Sequence, residues 1–194
     1  MRLIDSCKNF IKRHSGKPAM LYGYKIPGGR YFPHTRVSNT TYIGCKKNLK
    51  INDHVFIGHY NFLDSCNGIT IGEGCQITNY ISILTHSSHT AIRLYGKAYI
   101  ENNNHIAYEK GEVEIGAYSF IGPHSVIASN TKIGKGSLVT AYSYVKGTFP
   151  DFSILSGNPA RVIGSTKKLD QRYLRNHPEL NELYNSWASD KNIQ

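Results

Sequence analysis

Residues 115–145 read IGAYSF, IGPHSV, IASNTK, IGKGSL, VTAYSY and a final V when cut into sixes. Every six opens on an aliphatic residue: Ile115, Ile121, Ile127, Ile133, Val139 and Val145. That period fits neither an α-helix, which repeats every 3.6 residues, nor an amphipathic strand, which repeats every two. Leu, Ile and Val supply 40 of 194 residues, so six hits in one register have a chance on the order of 1 in 10,000 and the pattern is structural. The register continues upstream. Val37, Ile43 and Leu49 keep it, then Ile51, Ile57 and Leu63 after a two-residue slip, then Ile71, Ile77 and Ile83. Gly follows the aliphatic residue at Ile43, Ile57, Ile71, Ile115, Ile121 and Ile133.

A repeat this short means a solenoid, and hexapeptide repeats mark a β-helix. If each unit is a short strand plus a turn, three units close one coil. One aliphatic residue per unit then points inward and stacks on its equivalent about 4.8 Å away. Gly fits where the backbone bends tightly or a side chain would collide. The register predicts about five coils, each stable only when stacked on its neighbours. The fold class expected is an all-β solenoid with a long inserted loop and short terminal helices.

The chain reads as one domain with appendages: a lead-in over 1–36, the β-helix over 37–165 with an insertion at 84–112, and a helical tail over 166–194. The opening MRLIDSCKNFIKRH places Leu3, Ile4, Cys7, Phe10 and Ile11 at helical spacing, so it is expected to plug the end of the stack. It is a poor secretion signal, and no stretch approaches the roughly 18 apolar residues of a membrane span. Cys7, Cys45, Cys66 and Cys75 lack metal-type spacing and are expected to be reduced, in a cytoplasmic protein. Net charge is +10, but the Lys and Arg residues are scattered and no aromatic-basic motif appears, so nucleic-acid binding is not expected. Arg161, Lys167 and Lys168 form a modest basic cluster suited to a phosphate-bearing small ligand.

The register fails after Ile83 and resumes at Val113 and Ile115. Long insertions on rigid scaffolds carry function. This one opens on Thr85, His86 and His89 and continues with Arg93, Tyr95, Lys97, Tyr99, His105 and Tyr108, residues suited to a polar ligand.

A β-helix interrupted after Thr85-His86, resumed by the I-G-x-x-x-F-I-G segment from Ile115 to Gly122, and closed by SGNPARVIG from Ser156 to Gly164 resembles the hexapeptide-repeat acetyltransferases. Within them it is similar to the maltose, galactoside and nodulation-type sugar O-acetyltransferases and their capsule and lipopolysaccharide relatives. The resemblance covers about residues 37–165 and implies a left-handed helix. It also implies an acetyl-CoA-dependent transfer of an acetyl group to a sugar hydroxyl of a surface polysaccharide or its precursor, with no metal.

By the same resemblance His86 is the general base, with His89 as rival. Neutral imidazole suits that task near neutral pH. The peptide around Gly122 and Pro123 is the place to look for an oxyanion donor, although proline has no N–H. Ala141, Lys146 and Arg161 are implied cofactor contacts, with Lys167 and Lys168 as further basic candidates. Asn61 and Asp64 are implied on the acceptor side, joined by Arg93 and Tyr95 from the insertion; Asp64 has the alternative role of orienting the imidazole. The family places its grooves between subunits, so a homotrimer is implied.

Two alternatives share the fold. The γ-class carbonic anhydrases bind zinc through histidines, and His34, His54 and His59 are the candidates here. A non-catalytic scaffold is the other. Serine acetyltransferase is disfavoured by the short stretch before Val37.

Overall fold

The structure, a computed structural model, describes residues 9–12 and 16–189. The chain winds as a left-handed parallel β-helix with three flat faces. The first face stacks Tyr31–Ser38, Phe56–Ile57, Gln76–Ile77, Phe120–Ile121, Leu138–Val139 and Ser153–Gly157. The second stacks Tyr42–Gly44, Phe62–Asp64, Ser82–Ile83, Val126–Ile127 and Tyr144–Val145. The third stacks Leu49–Ile51, Ile69–Ile71, Val113–Ile115, Thr131–Ile133 and Thr148–Phe149. Five coils are complete, and the first face carries a sixth rung.

The hexad residues fill the bore. Ile57, Leu63, Ile71, Ile77, Ile83, Ile121, Ile127, Val139 and Val145 have no exposed surface, and Ile115 and Ile133 have 1 %. At about 1.5–3 kcal/mol for each buried aliphatic side chain, this column is the main stabilising term. The two-residue slips arise in the corner that leads into the third face. Inward Ile69 follows Leu63 by six residues, whereas inward Thr131 follows Ile127 by four, and the strands of that face have the same length in both coils. Gly58, Gly72, Gly116, Gly122 and Gly134 are packing requirements: a Cβ on Gly116 would lie 2.4 Å from the Lys135 amide nitrogen in the next coil.

Buried hydroxyls serve the turns. Ser119 Oγ donates to the Gly134 carbonyl at 3.1 Å and Ser125 Oγ to that of Thr140 at 3.0 Å. Three corners run along the helix. At the one between first and second faces, Tyr60, Tyr80, His124 and Tyr142 each turn the chain with φ of 58–60° and stack ring on ring at 4.8–5.2 Å.

Both ends are closed by antiparallel strands. Met20–Lys25 pairs with Tyr31–Ser38 at the start, and Ala160–Ser165 pairs with Ser153–Gly157 at the finish. The SGNPARVIG motif forms that second hairpin, with a cis Asn158–Pro159 peptide at its tip. Helices Thr166–Asn176 and Asn181–Ala188 follow, and Trp187 stacks on Tyr118 and Phe152 at 4.5 and 5.8 Å. Gly136 leaves the room for that indole. Of the expected N-terminal plug, residues 9–12 are helical; the rest of that expectation lies outside the described residues. No helix among the described residues is long and apolar enough to cross a membrane.

Candidate active site

The insertion leaves the second face after Ser82–Ile83 and returns to the third at Val113–Ile115. Its two ends form a ribbon in which His86 pairs with Lys110 and Ser87 with Glu109. The first residues therefore stay tied to the scaffold: the Gly111 amide donates to the Thr85 carbonyl at 3.0 Å, and Asn67 Nδ2 reaches the same oxygen at 3.1 Å. A helix, Ala91–Tyr95, and irregular chain lie between.

Asp64 sits one coil below, and it organises the site. Its Oδ2 lies 2.6 Å from His86 Nδ1 and accepts from the Thr85 hydroxyl and amide at 3.0 and 3.2 Å. Its Oδ1 accepts from the Cys66 amide at 3.3 Å. Burial pushes the Asp64 carboxyl up, but the Thr85 and Cys66 donors and the His86 charge outweigh it and hold the group below the usual carboxylate range. An ionised carboxylate beside Nδ1 fixes the proton there, so neutral His86 carries its lone pair on Nε2. The carboxylate side chain is 7 % exposed and the imidazole 41 %, so the pair is anchored at one end and open at the other. This is the geometry of an oriented general base.

Tyr108 covers the ring, stacked at 5.7 Å between centroids. Burial, then the charges of Tyr99 and Asp64, push its phenol up. His89 is placed differently: it is exposed, and its Nδ1 contacts only the Ser87 hydroxyl, at 2.8 Å, among the described residues. No carboxylate hydrogen-bonds its ring among the described residues, although Glu109 lies near enough to feel its charge. His105 packs inside the insertion, 4.0 Å from the Tyr99 ring, and His124 belongs to the corner column.

Several expected contacts are spent elsewhere. Asn61 is 2 % exposed; its Nδ2 donates to Thr78 O at 2.7 Å and its Oδ1 accepts from the Ile81 amide at 2.8 Å. That amide holds a turn and is not free for an acceptor. Tyr95 Oη accepts from the Ile106 amide at 2.9 Å, and Arg93 folds back onto the His89 carbonyl and Thr90. Lys146 pairs with Glu109 at 2.8 Å, which ties the insertion to the fifth coil and takes up the charge expected for a cofactor phosphate. The Gly122 amide donates to Val139 O at 2.8 Å and that of His124 to Asn79 O at 3.2 Å. With Pro123 between them, this stretch has no N–H left for an oxyanion.

The chain alone does not gather the cofactor candidates. Ala141 lies at the corner between first and second faces and Lys146 at the next corner. Arg161 projects from the closing hairpin, exposed, and Lys167 hangs 4.3 Å over the Phe152 ring at the third corner; Lys168 is exposed beside it. The histidines weighed for zinc also separate. His34 and His54 stack at 4.5 Å beside Asp53, whereas His59 lies beyond Phe56–Ile57 and bonds Ser38 Oγ at 2.7 Å.

The cysteines correct one expectation. Cys45 and Cys66 are joined in a disulfide between adjacent coils, in place of two reduced thiols. Register explains it: Gly44 pairs with Asp64, so the residues that follow meet at the same corner. Cys75 is a buried packing residue whose thiol is pushed up to about 11 by burial. Sequence spacing contained the signal for Asp64, which occupies the register position below Leu84. Tyr108 was legible only as one of the insertion's polar-ligand residues; its place over His86 was not, because an irregular insertion has no register.

The fold and repeat define the class: this is a hexapeptide-repeat protein, similar to the acetyltransferases built on that helix. The family described as "Bacterial transferase hexapeptide (six repeats)" matches residues 112–147. Serine acetyltransferase 4 of Arabidopsis thaliana is 30% identical over 140 residues, 72% of this chain and 36% of that protein. The putative lipopolysaccharide biosynthesis O-acetyl transferase WbbJ of Escherichia coli is 28% identical over 118 residues, 60% of this chain and 57% of that one. Among solved structures, a hexapeptide-repeat-containing acetyltransferase of Vibrio cholerae complexed with acetyl coenzyme A superposes with a TM-score of 0.56 at 27% identity, covering 64% of each chain. The chain spans 36–57% of the length of the first curated relatives it matches.

Proposed function

We propose that this protein is an acetyl-CoA-dependent O-acetyltransferase whose acceptor is a sugar hydroxyl of a surface polysaccharide or its precursor. The observation that carries the reading is the Asp64–His86 pair, 2.6 Å apart, at the mouth of the insertion. His86 Nε2 takes the proton of the acceptor hydroxyl as its oxygen attacks the thioester carbonyl. Asp64 stabilises the imidazolium, which then returns the proton to the departing CoA thiolate, so no enzyme nucleophile is consumed. The acetyl-CoA complex of the Vibrio cholerae protein supports the donor, and WbbJ supports a surface sugar.

We place the sites between subunits of a homotrimer. Arg161, opposite Ser156 in the closing hairpin, stands near Ala141, whereas Lys167 and Lys168 stand at the third corner, so a neighbouring copy would be needed to bring all of them to one groove. The exteriors of the first two faces carry exposed Tyr42, Phe62 and Phe120, which a second copy would cover. Cytoplasmic location remains the proposal, with the Cys45–Cys66 disulfide as the feature that speaks for an oxidising compartment.

Serine is the competing acceptor, favoured by the similarity to serine acetyltransferases. Release of free CoA, measured with a sugar panel and with L-serine, tests both. Sugar-dependent release supports the proposal; release with L-serine alone overturns the sugar assignment. Absence of acetyl-CoA binding overturns the transferase.

A further inference from the structure

Beyond Tyr108, the ring stacked on His86, the insertion forms an open groove of about 610 Å³, within the size range of small-molecule sites. Tyr99, His105 and Tyr108 form a stacked aromatic wall, Asn103 and Asn104 supply amides, and Lys110 supplies an ammonium group. Carboxamides donate to and accept from sugar hydroxyls. No carboxylate lines this groove among the described residues.

Lys110 is tied to the reacting end by two independent relations. It pairs with His86 across the two-stranded ribbon, so both side chains leave the same face. Its Nζ lies 5.4 Å from the centroid of the Tyr108 ring, which is the ring stacked on His86. Its charge is also available. Lys146 is matched by Glu109 and Lys132 by Glu114, whereas no carboxylate pairs with Lys110 among the described residues.

We infer that the acceptor is an anionic sugar, bearing a carboxylate or phosphate that Lys110 binds while a neighbouring hydroxyl reaches His86. The inference rests on the acetyl-transfer reading above and narrows its substrate. Fixing the anion at Lys110, which faces the same side of the ribbon as His86, would hold one hydroxyl at Nε2, which is where regiochemistry is decided.

Binding, read independently of turnover, tests it. D-glucose, D-glucuronate and glucose 1-phosphate are titrated by saturation-transfer NMR into the protein and into a Lys110→Gln variant, with acetyl-CoA binding followed in parallel. The Lys110 ammonium touches only the Tyr108 ring among the described residues, so the variant is expected to fold. The expected result is at least about tenfold tighter binding of an anionic sugar than of glucose, one charge-assisted contact, erased by Lys110→Gln. Preference for glucuronate alone identifies uronic acids, for glucose 1-phosphate alone sugar phosphates, and for both the shared anion. Equal binding of all three, no binding of any, or a preference that survives Lys110→Gln overturns the inference. If acetyl-CoA also fails to bind, the transferase reading falls with it; if acetyl-CoA binds, only the charge assignment is lost.

Discussion

Asp64 Oδ2 and His86 Nδ1 lie 2.6 Å apart although they belong to successive coils, so the pair is built by stacking and not by local sequence. The carboxylate arrives from the end of Phe62–Asp64 and the imidazole from the first residue after buried Thr85. Replacing the carboxylate by a carboxamide keeps the shape but removes the charge that fixes the Nδ1 proton. Asp64→Asn is expected to lower kcat by roughly tenfold or more with little change in KM for acetyl-CoA. Steady-state kinetics check it; an unchanged kcat would remove Asp64 from the mechanism.

Acid stability follows from the same carboxylate. Its pKa in the fold is below the ordinary value, so the unfolded chain binds the proton more readily. The stabilisation is fully present above the unfolded carboxylate range and is lost as pH falls through the folded value. Melting temperature measured from neutral to acid pH is expected to fall for the wild type and to fall less steeply for Asp64→Asn. Parallel acid limbs would show that Asp64 is not the group responsible.

Asn61 separates a structural amide from an acceptor contact. Asn61→Ala strands the buried Thr78 carbonyl and Ile81 amide, at a cost of about 1–3 kcal/mol per stranded group. Chemical denaturation should show that loss, with acceptor KM unchanged. A raised KM at unaltered stability would return Asn61 to the binding site.

The Cys45–Cys66 bridge closes a separation of 21 residues, for which chain entropy gives about 3 kcal/mol. Because the Cys66 amide also donates to Asp64, loss of the bridge should be felt at the pair. Reductant, or Cys66→Ser, is expected to lower the melting temperature, with Cys75 unreactive in both states. Unchanged melting on reduction would show the two thiols to be free in the protein.

The fold was legible because a solenoid repeats its core in the sequence: Ile115 to Val145 state both the period and the inward face. The two-residue slips were visible, while their cause, a longer corner between the second and third faces in the early coils, needed the coils to be seen stacked. His86 was legible from the Thr85-His86 opening of the insertion, just beyond a rigid rung. The duties of Asn61, Lys146 and Gly122 were not, since each is decided by a partner in another coil or in the insertion: Thr78, Glu109 and Val139. The disulfide was missed for the same reason, as cysteines 21 apart become neighbours only when a coil's length is known.

The central claim, that His86 and not His89 is the base, is tested most directly by CoA release in two variants. His86→Ala should lower acceptor-dependent turnover by about 100- to 10,000-fold, the usual span for a lost general base, while His89→Ala stays near the wild type. Near-native turnover in His86→Ala together with its loss in His89→Ala would contradict the account.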